Sequence, residues 1–194
     1  MNSNQYRKWY FKQLRVYERT SNAIVTKHLK NSLVKFGKSK PTRETMSKLL
    51  RKSVTDKMVL DMLAETYITV GGTHGNKIVK GIKDNTLQVK RIFTSLWIES
   101  FAKDVLKWLG INGGDNIKSI RKTFIKTVLD YIAKRNDEGK SIQVVTNEII
   151  KNFGKTNGLY KSQIKRIVRT ETGSAANYAS WKAMESSEIV IDKM

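Results

Sequence analysis

The chain has 194 residues, enough for one large domain or two small ones, and its 39% hydrophobic and 28% charged content builds a core rather than a disordered chain. The absence of cysteine excludes disulfides, thiolate catalysis and cysteine-type zinc sites. A formal net charge of +20 and a pI near 10.1 point to a polyanionic partner, either nucleic acid or the acidic surface of another protein.

The charge is uneven. Residues 1–57 carry 15 Lys/Arg against 3 Asp/Glu, whereas 58–110 carry 7 against 5 and 111–194 carry 15 against 9. This divides the chain into a basic N-terminal helical region, 1–57, and a helical body, 58–194. One proline and 12 glycines leave few obligatory breaks, so the sequence predicts an all-α fold, an elongated assembly of about six to eight helices. No apolar run is long enough to cross a membrane. The N-terminus MNSNQYRKWYFKQLR is basic but lacks the apolar core of a secretory signal.

Asn4–Phe36 reads as one long helix or two. Tyr6, Tyr10, Leu14 and Tyr17 form a stripe with Trp9 and Val16 beside it, and Ile24, Val25, His28, Leu29 and Leu33 continue an apolar face. Lys8, Lys12, Arg15 and Arg19 run along the other side at i, i+4, i+7 and i+11. Aromatics interleaved with cations can stack on bases and grip phosphates. Here the aromatics read as packing residues and the cations as the polyanion contact: Arg7, Lys8, Lys12, Arg15, Arg19, Lys27, Lys30 and Lys35.

Gly37 reads as a helix C-cap before Ser39-Lys40-Pro41, and Thr42 as the cap of the next helix, with Thr45 at the capping-box position. Met46, Leu49, Leu50, Val54, Met58, Leu60 and Leu63 predict helix into the sixties, with methionines as core filler. Tyr67–Gly75 (YITVGGTHG) is ambiguous between a β-favouring run with a glycine turn and a helix end with a loop. GGTHGNK is not a phosphate loop, because Ile78 follows Lys77 where a hydroxyl is required.

Asn85–Leu109 predicts a helix ending at Gly110, and Asn112–Asp115 a loop. Ile117–Lys134 predicts another helix and Asn136–Lys140 a turn. Ser141 caps a helix over Ile142–Phe153, 154–158 turns the chain again, and 189–191 could begin a strand. Neither histidine, His28 nor His74, stands at metal-ligand spacing with an acid. Asp56, Asp61 and Glu65 read as solvated or paired with Lys57.

Tyr160–Met184 predicts one long helix carrying the most unusual polar pattern of the chain. Ile164, Ile167, Val168, Glu171, Ala175 and Tyr178 fall on one stripe, which sets Glu171 inside an apolar face with no cation three or four residues away. A buried carboxylate there needs a cation or backbone donor from another element, or it protonates. Arg169 points away and needs its own partner. Gly173–Ala176 is where another backbone is expected to come closest.

The segment Ile167–Ala179, I-x-R-T-E-T-x-x-A-x-N-x-A, together with the acidic turn at Glu138-Gly139 and the helix opened by Lys140-Ser141-Ile142, resembles the tailed-phage head morphogenesis family, the minor head proteins related to the phage Mu F protein. The resemblance covers roughly the last third of the chain. Its motif residues are Arg169, Thr170, Glu171 and Asn177. The resemblance implies a structural virion component, not an enzyme, without cofactor or metal and without membrane contact. It implies a place in the phage head interior or at the portal vertex, in multiple copies, contacting portal or major capsid protein and packaged double-stranded DNA without sequence specificity, with possible release alongside the genome. Relatives continue past this helix into a further C-terminal segment, which the chain is expected to lack. Two other readings compete. One is a non-phage helical nucleic-acid-binding protein, with Ser141–Phe153 as the candidate recognition helix although Ile142, Val144, Val145 and Ile149 read as core. The other is a truncated enzyme using Glu171.

Overall fold

A computed structural model describes residues 3–82, 89–153 and 161–186. Every element among them is helical: α1 (Ser3–Lys38), α2 (Met46–Ser53), α3 (Asp56–Thr66), α4 (Gly72–Ile82), α5 (Val89–Asn112), α6 (Gly114–Asp137), α7 (Ile142–Asn152) and α8 (Lys161–Ser186). A π-helical turn over Tyr67–Gly71 joins α3 to α4. The all-α expectation holds. The turn expected at 154–158 and the strand start expected at 189–191 lie outside the described residues.

The chain groups into two compact units that interleave in sequence. The first combines 1–21, 63–111 and 168–194, and the second combines 22–62 and 112–167. This partition by packing differs from the partition by charge at residue 57.

In the first unit the core is aromatic. Tyr67 stacks on Trp108 with centroids 5.6 Å apart, Trp108 meets Tyr178 at 5.1 Å, and Trp97 stacks on Phe101 at 4.8 Å. The ambiguous segment 67–75 lies in this core as helix, with no strand and no glycine turn. The reason is contact, not propensity. A Cβ on Gly71 would stand 2.7 Å from Phe101 Cζ and 3.0 Å from the Ala175 carbonyl oxygen, and one on Gly75 would overlap the Trp97 indole. These glycines serve close approach between helices.

In the second unit Val25, Leu29, Leu33 and Phe36 of α1 are fully buried, as are Leu50, Val54, Val59 and Met62, with Val128, Ile132 and Val145 from α6 and α7. Each such side chain contributes about 1.5–3 kcal/mol of transfer free energy. Gly37 does not end α1. It lies within the last turn, where its missing Cβ leaves room for Ile150 and Thr146 of α7 at 3.2 Å. The left-handed residue that ends the helix is Lys40, φ 48°. Thr42 and Thr45 then form a reciprocal cap: Thr42 N–H donates to Thr45 Oγ1 at 3.0 Å and Thr45 N–H to Thr42 Oγ1 at 3.3 Å. Thr45 thus takes the place a glutamate holds in a capping box.

The single helix expected from Met46 into the sixties is cut in two. Val54 is extended (φ −104°, ψ 93°) and fully buried, and Thr55 Oγ1 accepts from Met58 N–H at 3.1 Å to cap α3. Elsewhere helices run longer than expected: α5 passes Gly110 to Asn112, and α6 begins at Gly114, so the 112–115 loop shrinks to one residue. The turn after α6 closes with Gly139 at φ +85°, Lys140 N–H donating to Arg135 O at 3.1 Å and Gly139 N–H to Asn136 O at 2.9 Å. That is a Schellman cap, which requires a left-handed residue where Gly139 stands. Ser141 caps α7 as expected, accepting from Val144 N–H at 3.3 Å. Ile142, Val145 and Ile149 are buried, but Val144, expected in the core, is 50% exposed.

Candidate nucleic-acid interface

The first half of α1 belongs to the first unit, and its two sides have opposite fates. Trp9, Tyr10 and Tyr17 turn inward onto His74 of α4, with ring centroids at 5.6, 5.7 and 5.6 Å. This fixes the rotation of the helix and leaves Arg7, Lys8, Lys12, Arg15 and Arg19 exposed. From Lys8 to Arg19 the row extends about 16 Å along the axis. Phe11 stands among these cations 52% exposed, with the Arg7 guanidinium 5.9 Å from its ring. The packing reading therefore holds for Trp9, Tyr10 and Tyr17. Tyr6's side chain lies outside the described ones. In the second unit, Lys27, Lys30 and Lys35 project from the exposed side of α1 while Ile24, Val25, Leu29 and Leu33 are buried.

The Arg-Thr-Glu helix is a packing element of the first unit. Glu171 is buried, and Tyr67 donates its hydroxyl to Oε2 at 3.4 Å. One donor from another element is therefore a phenol. Burial and then the Glu171 charge push the Tyr67 hydroxyl well above its ordinary pKa, with a Ser174 hydrogen bond opposing, so the tyrosine stays protonated and able to donate. Arg169 pairs with Glu18 of α1 at 3.7 Å, and Thr170 is exposed. Asn177 Oδ1 accepts from the Tyr10 hydroxyl at 2.7 Å. Gly71 faces α8 at Ala175, whose carbonyl oxygen would stand 3.0 Å from a Cβ there; among the described residues nothing stands within 4 Å of a Cβ on Gly173.

Two features went unread in the sequence. Thr172, fully covered, donates from Oγ1 to Ser21 Oγ of α1 at 2.6 Å. His74 is fully buried, and it lies on a helix rather than in a glycine turn or loop. The Ser180 hydroxyl donates to the Ala176 carbonyl at 3.0 Å, so its oxygen accepts from His74 Nε2 at 3.1 Å. That network leaves Nδ1 buried with no hydrogen-bond partner among the described residues. Burial, then the neighbouring Lys77 charge, pushes the His74 pKa down to about 4. Lys77 itself donates to Gln13 Oε1 at 2.6 Å and lies 5.4 Å from the Tyr17 ring. Burial raises the Tyr17 hydroxyl to about 12. A sequence clue to this box existed: His74 lies among aromatics once α1 and α4 pair, but nothing local says that they do.

Among the described residues no three His, Asp or Glu side chains gather as a metal site, and no helix is long and apolar enough to cross a membrane. No known protein family, curated protein or solved structure matches the chain.

Proposed function

We propose that this protein is a structural, non-enzymatic DNA-contacting protein of the tailed-phage head, a minor head component that holds packaged duplex through α1 without reading its sequence. The observation that carries the reading is the exposed row Lys8, Lys12, Arg15 and Arg19 on a helix whose opposite side is anchored on His74. A rigid helix with solvated cations along one side meets phosphates without paying to order itself first. Amines and guanidinium groups on phosphates position a protein and carry no base information. The Arg169–Asn177 pattern and the net charge of +20 support the phage setting.

The test is duplex binding as a function of salt, with two duplexes of unrelated sequence. Equal affinities are expected, with a steep negative dependence of log K on log salt. Replacing Lys8, Lys12, Arg15 and Arg19 by Gln should flatten that slope by roughly 3–4, at about 0.9 per lost phosphate contact. An unchanged slope would overturn the α1 assignment, and a sequence-specific footprint would favour a helical regulator instead. Absence of the protein from purified particles would sink the phage setting.

A further inference from the structure

The second unit holds a cleft of about 460 Å³ between α2 and α6 that the α1 reading does not use. Its cations are Arg51 from α2 and Lys118, Arg121, Lys122 and Lys126 from α6. The three lysines recur at i, i+4 and i+8, so they form one row spanning about 12 Å. All three are exposed, and no carboxylate pairs with them among the described residues.

The cleft is fixed in shape by Arg121. Its Nε donates to the Val54 carbonyl at 2.6 Å, its Nη2 to the Arg51 carbonyl at 3.0 Å, and its Nη1 reaches Asp56 Oδ1 at 3.4 Å. This guanidinium satisfies carbonyls that the end of α2 leaves open, and it fastens α6 to the α2–α3 break. Arg121 is thus spent on structure, and Arg51 is held beside the lysine row.

The shape of the charge selects the ligand. A single phosphate cannot touch lysines spread over about 12 Å, whereas a chain of phosphates can. A protein partner would want an apolar anchor site, because interface centres are depleted in lysine and enriched in aromatics. Among the described residues this cleft has no aromatic lining, and its apolar residues are the buried Ile125 and half-buried Leu129. Interfaces with nucleic acid are polar and strongly basic. Asp130, one turn beyond Lys126, ends the positive stretch. We infer that the α2–α6 cleft is a second phosphodiester-backbone site, in which Arg51, Lys118, Lys122 and Lys126 hold consecutive phosphates of a nucleic-acid strand. The inference rests on the nucleic-acid reading above but not on α1.

The experiment measures salt-dependent binding of a fluorescent duplex and of a single-stranded oligonucleotide by the full chain and three variants. One replaces Lys118, Lys122 and Lys126 by Gln. A second carries the α1 replacements. A third is a charge-matched control with Lys38, Lys134 and Lys151 replaced by Gln, all exposed and none in the cleft. The cleft variant should flatten the salt slope by about 2–3 and the control by clearly less. Asp130→Asn should tighten binding, a gain that misfolding cannot mimic. Equal effects of cleft variant and control would overturn the proposal, as would binding of poly-glutamate in preference to either oligonucleotide. A slope that responds to α1 and not to the cleft sinks the proposal alone. A slope that responds to the cleft and not to α1 sinks the α1 assignment and leaves the cleft standing.

Discussion

Tyr67 and Glu171, 104 residues apart in sequence, meet in the interior of the first unit with 3.4 Å between the phenolic oxygen and Oε2. Both side chains are 2% exposed. A carboxylate taken out of water at that depth must be answered by donors, and the phenol supplies one without bringing a second charge that also needs desolvation. The pairing ties the π-helical turn to α8, and Thr172–Ser21 ties α8 to α1 one residue further along.

Removing the phenol should therefore cost more than its packing alone. Tyr67→Phe is expected to destabilise the protein by about 1–3 kcal/mol, the range for leaving a buried polar group short of a partner. Glu171→Gln should cost less than Tyr67→Phe, because a side-chain carbonyl still accepts. Urea denaturation of the two single variants and the double variant would decide it; additive effects would mean that the two side chains are not coupled.

The glycines separate into three kinds that alanine substitution should resolve. Gly75→Ala drives a methyl into the Trp97 ring and should destabilise by about 1–3 kcal/mol, as should Gly71→Ala against Phe101. Gly139→Ala should cost about 1–2 kcal/mol through its left-handed backbone. Gly173→Ala, inside α8 with open space around the new methyl, should stabilise by up to about 1 kcal/mol. Thermal melts of the four proteins provide the check, and a destabilising Gly173→Ala would show that another element does come close there.

His74 should make the protein acid-sensitive. Its folded pKa of about 4 lies below the ordinary 6.5, so the unfolded chain binds the proton first. The stability it contributes is whole above pH 6.5 and is lost as pH falls from 6.5 towards 4, by about 2–3 kcal/mol. Tyr17, packed against the same ring, stays protonated throughout this window, because burial raises its hydroxyl to about 12. Denaturation of the wild type and of His74→Gln across that window should show a steeper loss in the wild type. Parallel curves would remove His74 as the cause.

Arg121 should be irreplaceable by lysine. Its fork donates to two carbonyls at once, at 2.6 and 3.0 Å, a geometry that one ammonium cannot copy. Both Arg121→Ala and Arg121→Lys should lower stability, the first by about 1–3 kcal/mol. Hydrogen exchange at the amides of Leu50 and Val54 should quicken in both. Full rescue by lysine would show that charge alone matters at this position.

The helices themselves were legible in the sequence because apolar spacing of 3.6 is a local property. Tyr17, Leu29, Ile132, Val145, Ile164 and Val168 are buried where that spacing places them. The burial of Glu171 was legible for the same reason: it stands in an apolar stripe of its own helix. Local capping was legible at Ser141 and at Thr42 with Thr45, but the break at Val54 and its cap on Thr55 were not.

What the sequence could not carry is pairing. By itself it determined an all-α chain, a basic row on one side of α1 and a carboxylate that had to find a donor elsewhere. Tertiary structure decided that Tyr67 is one such donor, that Gly71 and Gly75 are contact points inside a helix rather than a turn, and that His74 lies among Trp9, Tyr10 and Tyr17. The physical reason is the same in each case. Periodicity and charge are written into neighbouring residues, whereas the partner of a buried group, and the ring that fills the space a glycine leaves, come from segments tens of residues away and are fixed only when the helices pack.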